Sequence, residues 1–194
     1  MALLALIVFV VVLLIWFGRK TRPRVTIISN PVLGVLNLKG PSADADIKDD
    51  LELLTQYFSE VRQEDDAPPF CDVLLMYCKI DSSGAINGSS QSLREIIRDA
   101  GAAVAVVATN NEAENYTAAL ARARTAYRRA NLVMTIERHG TSFASFLAKL
   151  FAQMERGVSM PMAWNNLAPQ YPGAEHKDLP ATLCALEGGQ IAFG

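Results

Sequence analysis

The sequence predicts an α/β fold in which a membrane-spanning N-terminal helix precedes a mainly parallel sheet sandwiched by helices. Three observations carry this. Residues 2–18, ALLALIVFVVVLLIWFG, are apolar without interruption. Three later segments, CDVLLMYC (71–78), AAVAVVAT (102–109) and NLVMTIE (131–137), are continuous apolar runs of strand length, the pattern of strands covered on both faces. Between and after them come segments with helical periodicity, and strand–helix alternation of this kind closes into a parallel sheet.

Residues 2–18, as a helix, reach about 26 Å, the thickness of a thin hydrocarbon core. Trp16 and Phe17 suit the membrane interface, and Arg19, Lys20, Arg22 and Arg24 follow at once. A cleaved leader would carry its positive charges before the apolar run and a small-residue cleavage site after it, and neither is present. The expectation is a single-pass anchor at 1–18 with everything beyond Arg19 cytoplasmic. Two glycosylation-type sequons, at Asn87 and Asn115, would matter only in the opposite orientation.

Residues 19–42 are expected to form a basic juxtamembrane segment with a first strand at 24–29 and a Pro/Gly-containing loop at 30–42. An α/β domain follows at 43–194. Its first helix is expected over 44–63, where Ile47, Leu51, Leu54 and Phe58 recur at helical spacing behind an acidic first turn. After the 71–78 strand, a Gly/Ser loop ends at Ser90, an N-cap candidate for a helix at 92–101 stopped by Gly101. The 102–109 strand leads into a helix at 111–130 with acids early and arginines late. The 131–137 strand leads into an amphipathic helix at 141–157 stopped by Gly157. Pro161 marks another helix start, and two short strands flank Gly188-Gly189.

Composition excludes several functions. A net charge of -2 gives no basic face for nucleic acid. Three cysteines and two histidines, without a Cys-x-x-Cys pair, argue against a disulfide framework or a structural zinc site. No strand is followed by a phosphate-binding glycine loop, since 81–90 lacks both the Gly-Lys-Ser/Thr ending and the dinucleotide spacing. No cofactor or metal is expected.

From residue 71 onward, element order and local motifs resemble the CHAT domain, a caspase-like cysteine peptidase family. The most specific stretch is 130–170, an apolar strand, a short turn and a helix carrying Phe146, Leu150 and Phe151, then Gly157 and Ala163-Trp164 in a following helix. HKDLPATLCALEGG resembles the family's lead into a last apolar strand. By that resemblance 71–79 is the strand delivering a catalytic His-Gly, and 93–111 the helix and strand delivering the nucleophilic cysteine. Here the histidine position holds Lys79, after Cys78, and the nucleophile position holds Thr109, Asn110 or Asn111. A thiolate nucleophile needs a proton-accepting imidazole, and neither lysine nor asparagine replaces that pair. The resemblance therefore implies a caspase-like domain that has lost its dyad and works by binding a protein partner.

Two chemistries compete with that expectation. Cys78 as nucleophile with His139 as base would make a hydrolase, Lys79 lowering the thiol pKa; the plainer role for Cys78 is a small apolar strand residue. The segment ERHGTS (137–142) resembles the Arg-His-Gly motif of histidine phosphatases through Arg138, His139 and Thr141. Only His176 follows as a second histidine, and no arginine follows Arg156. Glu112 and Glu114 suit a helix N-terminus better than a polar site, and 121–129 reads as a solvated basic helix face. Trp164, with Met160 and Met162, is either an exposed patch or a core residue.

Overall fold

A computed structural model of the chain describes residues 25–64, 67–109, 115, 118–119, 132–172, 181–185 and 190–194. The expected anchor, the basic cluster, the 111–130 helix apart from three positions, His176 and Gly188-Gly189 lie outside the described residues. Among the described residues no helix is long and apolar enough to cross a membrane.

The strands are β1 (Val25–Ile28), β2 (Val32–Asn37), β3 (Glu60–Glu64), β4 (Val73–Tyr77), β5 (Val104–Ala108), β6 (Leu132–Ile136), β7 (Ala181–Ala185) and β8 (Gln190–Phe193). The helices are α1 (Asp44–Leu54), α2 (Leu93–Asp99), α3 (Thr141–Glu155) and α4 (Met160–Leu167). Six strands form one sheet in the order β3-β2-β4-β5-β6-β7, parallel except for the β6–β7 pair. A separate parallel ribbon pairs β1 with β8. The expected mainly parallel α/β arrangement is thus present.

Alternate residues of the inner strands feed two apolar cores. Val73, Leu75 and Tyr77 of β4 join Ile47 and Leu54 of α1, Phe143, Leu147 and Phe151 of α3 and Met160 of α4 on one face. Leu74 and Met76 of β4, followed by Cys78, join Leu93, Ile96 and Ile97 of α2 on the other. Ile191 and Phe193 of β8 extend the first core, with Phe193 stacked on Phe151 at 5.8 Å between centroids. Trp164 packs at the border of this core, half-buried, while Met162 is exposed.

Three expectations are corrected. Residues 32–37 are not loop but β2, a central strand, so the α/β unit includes residues assigned to the juxtamembrane segment. Pro31 and Gly34 made the stretch look irregular. Gly34 is there because β2 runs against Cys71, whose Sγ would lie 2.6 Å from any added Cβ. The helix expected over 44–63 ends at Leu54, and its tail becomes a short turn and β3, an edge strand whose sequence EVRQE is polar as exposed edges are. The cap of α2 is Ser92 rather than Ser90: Ser92 Oγ accepts from the Glu95 amide at 3.3 Å, and Glu95 Oε2 accepts from the Ser92 amide at 2.8 Å.

Candidate functional site

The carboxyl ends of β2, β4, β5 and β6 bring together Asn37 to Lys39, Tyr77 to Lys79, Thr109 and Glu137 to His139. Ligand sites of open α/β sheets form outside this edge.

A buried polar cluster lies on the face covered by α1. Arg138 Nε donates to Asp50 Oδ2 at 2.9 Å and Nη2 to Asp50 Oδ1 at 3.1 Å. Arg138 Nη1 reaches Asp46 Oδ1 at 3.0 Å, and Nη2 also meets the Asp46 carbonyl at 3.3 Å. Tyr77 Oη donates to Asp50 Oδ2 at 2.9 Å. Burial pushes the Asp50 carboxyl up from its ordinary value, opposed by the hydrogen bonds from Arg138 and Tyr77. The Arg138 guanidinium is held protonated chiefly by its hydrogen bonds to Asp50. Beside this cluster Asn37 Nδ2 donates to Asp44 Oδ1 at 2.9 Å and to the Gly40 carbonyl at 3.0 Å, pinning the end of β2 to the start of α1.

In the sequence the acids at 44–50 read as a helix start, and nothing there joins them to Tyr77 or Arg138. A signal was present: Asp50 stands three residues after Ile47 and four before Leu54, inside the buried stripe of α1. A carboxylate on an apolar stripe needs a partner.

Cys78 is fully buried in the core on the α2 face, and burial pushes its thiol up to about 12. The Cys78 amide donates to the Ala108 carbonyl and the Thr109 amide to the Ile136 carbonyl, so the ladder continues past the strands and sets Cys78 beside Thr109. Thr109 is 2% exposed, and its Oγ1 has no hydrogen-bond partner among the described residues. His139 stands elsewhere. Its ring faces Tyr171 at 5.8 Å between centroids, and Tyr171 belongs to the core on the opposite face. Nε2 of His139 lies 3.5 Å from Glu137 Oε2, and Tyr171 Oη donates to the Glu137 carbonyl at 2.6 Å. Cys78 thus belongs to the core on one face, and the Tyr171 that His139 faces belongs to the core on the other. Arg138 already spends its Nε, Nη1 and Nη2 groups on Asp46 and Asp50, which leaves little for the phosphoryl oxygens of a phosphatase.

Lys79 is exposed where the resemblance implies a histidine. Lys39, half-buried at the end of β2, has its ammonium pKa lowered first by burial, with Lys79 and Arg138 acting in the same direction and Cys78 and Asp46 against it. Asn110, the other position implied to have lost a catalytic residue, lies outside the described residues. Among the described residues no group of three His, Cys, Asp or Glu side chains comes together as a metal site.

Among the described residues, one surface cleft lies away from this edge and another borders it beside His139. The first, of about 330 Å³, opens between Asn30, Tyr57, Ser59 and Phe193 at the amino end of β2. The other, about 170 Å³, lies between Ser142, Lys149, Leu167 and Tyr171.

The chain matches no protein-family model, and a search of curated proteins finds none similar to it.

Proposed function

We propose that the chain is a non-catalytic, caspase-like α/β domain that binds a protein partner, tethered to a membrane by residues 2–18 with the domain on the cytoplasmic side. The observation that carries the reading is the chemistry at the ends of β4 and β5. Where the CHAT resemblance implies an imidazole and a thiol, the strands lead into Lys79 and into Thr109, Asn110 or Asn111. The one thiol at this edge, Cys78, is buried with its pKa near 12, so it is protonated at neutral pH and a poor nucleophile.

The architecture supports the reading in coarser terms. A mainly parallel six-stranded sheet with helices on both faces is the framework the resemblance implies. The tether rests on sequence, on the 17-residue apolar run followed by four basic residues.

Peptidase and esterase assays of the full chain, combined with thiol-directed activity probes, test the central part. No turnover and no labelling of the native protein are expected. Labelling at Cys78 that disappears in His139→Ala would make the chain a cysteine hydrolase instead. Carbonate extraction of membranes tests the tether: the chain is expected in the pellet, and its release into the supernatant contradicts the anchor.

A further inference from the structure

The strand order reverses between β2 and β4. From β2 the chain leaves through α1 on one face and returns as β3 on the outer side. From β4 it leaves through α2 on the other face and continues to β5 and β6. Segments departing to opposite faces open a crevice between the two strand ends, the place where open α/β sheets bind ligands.

This crevice carries two cations. Asn37 pairs with Tyr77 in register, and the Leu38 amide donates to the Tyr77 carbonyl at 2.8 Å, so the parallel pairing runs on and sets Lys39 across from Lys79. Neither ammonium has a carboxylate within 4.0 Å or a hydrogen-bond acceptor among the described residues. The surroundings are open on one side and closed on the other. A Cβ added at Gly40 would meet nothing within 4 Å, whereas at Gly88 it would meet the Leu38 carbonyl at 3.1 Å, so the 80–90 loop forms one wall. A half-buried amine across from a second cation, with Asp46 in its field but no carboxylate within 4.0 Å among the described residues, is an electrostatic demand that an external anion meets.

We propose that the crevice between the ends of β2 and β4 receives an acidic side chain from a peptide segment of the partner protein, its carboxylate held between Lys39 and Lys79. This deepens the binding-module reading and rests on it. Charge favours a carboxylate over a phosphate. Asp44 and Asp46, in the first turn of α1, lie just beyond Lys39, and their charges oppose a multiply charged group more than a single one. Nor does a helix N-terminus offer free amides here, since a turn at Pro41–Ala43 intervenes before α1.

The test is amine reactivity, read lysine by lysine. The full chain is acylated with limiting anhydride and mapped by mass spectrometry, alone, with an Asp/Glu-rich octapeptide, with its Asn/Gln counterpart, and with inorganic phosphate. The acidic peptide is expected to slow acylation of Lys39 and Lys79 about tenfold, the effect of one well-placed charge pair. Exposed Lys48 and Lys149 should be unaffected and serve as internal controls. Peptide affinity should fall by a similar factor in Lys79→Met, whose site is exposed and tolerates the change, and survive in Lys39→Arg, which keeps the cation.

Protection by phosphate but not by the peptide overturns the peptide carboxylate, as does equal protection by the Asn/Gln peptide. Absence of any protection in a chain that is also inert to thiol probes overturns the crevice site and leaves the non-catalytic reading standing. Labelling of Cys78 overturns that reading itself, whatever the lysines do.

Discussion

Arg138 and Asp50, 88 residues apart in sequence, meet through two parallel hydrogen bonds of 2.9 and 3.1 Å across the carboxyl end of the sheet. The pair ties α1 to the segment leaving β6, and Tyr77 joins it from β4 between them. The Asp50 side chain is 1% exposed and that of Arg138 16%. A charge so placed is costly once its partner is gone.

Arg138→Ala is accordingly expected to lower stability by about 3 kcal/mol, the low end for breaking a buried pair because Arg138 keeps some solvent contact. Arg138→Lys restores the charge without the fork and should recover only part of the loss. Urea denaturation midpoints measure both. Equal stability of Arg138→Ala and wild type would mean that Asp50 is neutral and satisfied by Tyr77 alone.

Stability should fall at alkaline pH through the buried thiols. Burial raises both Cys71 and Cys78 from the ordinary 9.0 to about 12. Between these values the unfolded chain has released the thiol proton while the folded chain retains it. The thiols' contribution is therefore complete below pH 9 and is lost as pH rises toward 12. Cys78→Ala should flatten this decline relative to wild type when unfolding is measured from pH 8 to 11. An unchanged slope would mean that Cys78 ionises as readily folded as unfolded.

Gly34→Ala should destabilise the sheet by about 2 kcal/mol or more, because the new methyl would meet Cys71 Sγ at 2.6 Å and Pro69 Cγ at 2.9 Å. Thermal unfolding checks this. A neutral result would show that the segment from Pro69 to Cys71 yields easily.

Ser92→Ala removes half of a capping box and is expected to cost about 1 kcal/mol, whereas Ser90→Ala should cost almost nothing. The comparison separates the two candidate caps by chemical denaturation, and equal effects would contradict the capping geometry.

The inner strands β4, β5 and β6 were legible because strands buried on both faces are apolar at every position, and no helix of that length competes with the pattern. The central strand β2 was not, since Gly34, required by the approach of Cys71, breaks the apolar run. The edge strand β3 was hidden by its own polarity, and Val61 continued the helical spacing of α1. The Asp50–Tyr77–Arg138 cluster joins residues 27 and 88 positions apart. Only the misplaced carboxylate on the stripe of α1 hinted at it. That Cys78 and the Tyr171 which His139 faces belong to opposite cores depends on which face each residue takes, and a residue placed just past a strand end has no periodicity to assign it.

The central claim, that this edge binds rather than cleaves, is tested most directly by the native reactivity of Cys78. The full chain is treated with iodoacetamide at pH 7.5, folded and in urea, and alkylation of Cys78 is followed by mass spectrometry. A folded-state rate at least about a hundredfold below the unfolded one is expected, as for a buried protonated thiol, with no effect of His139→Ala. Rapid native alkylation that depends on His139 would contradict the claim.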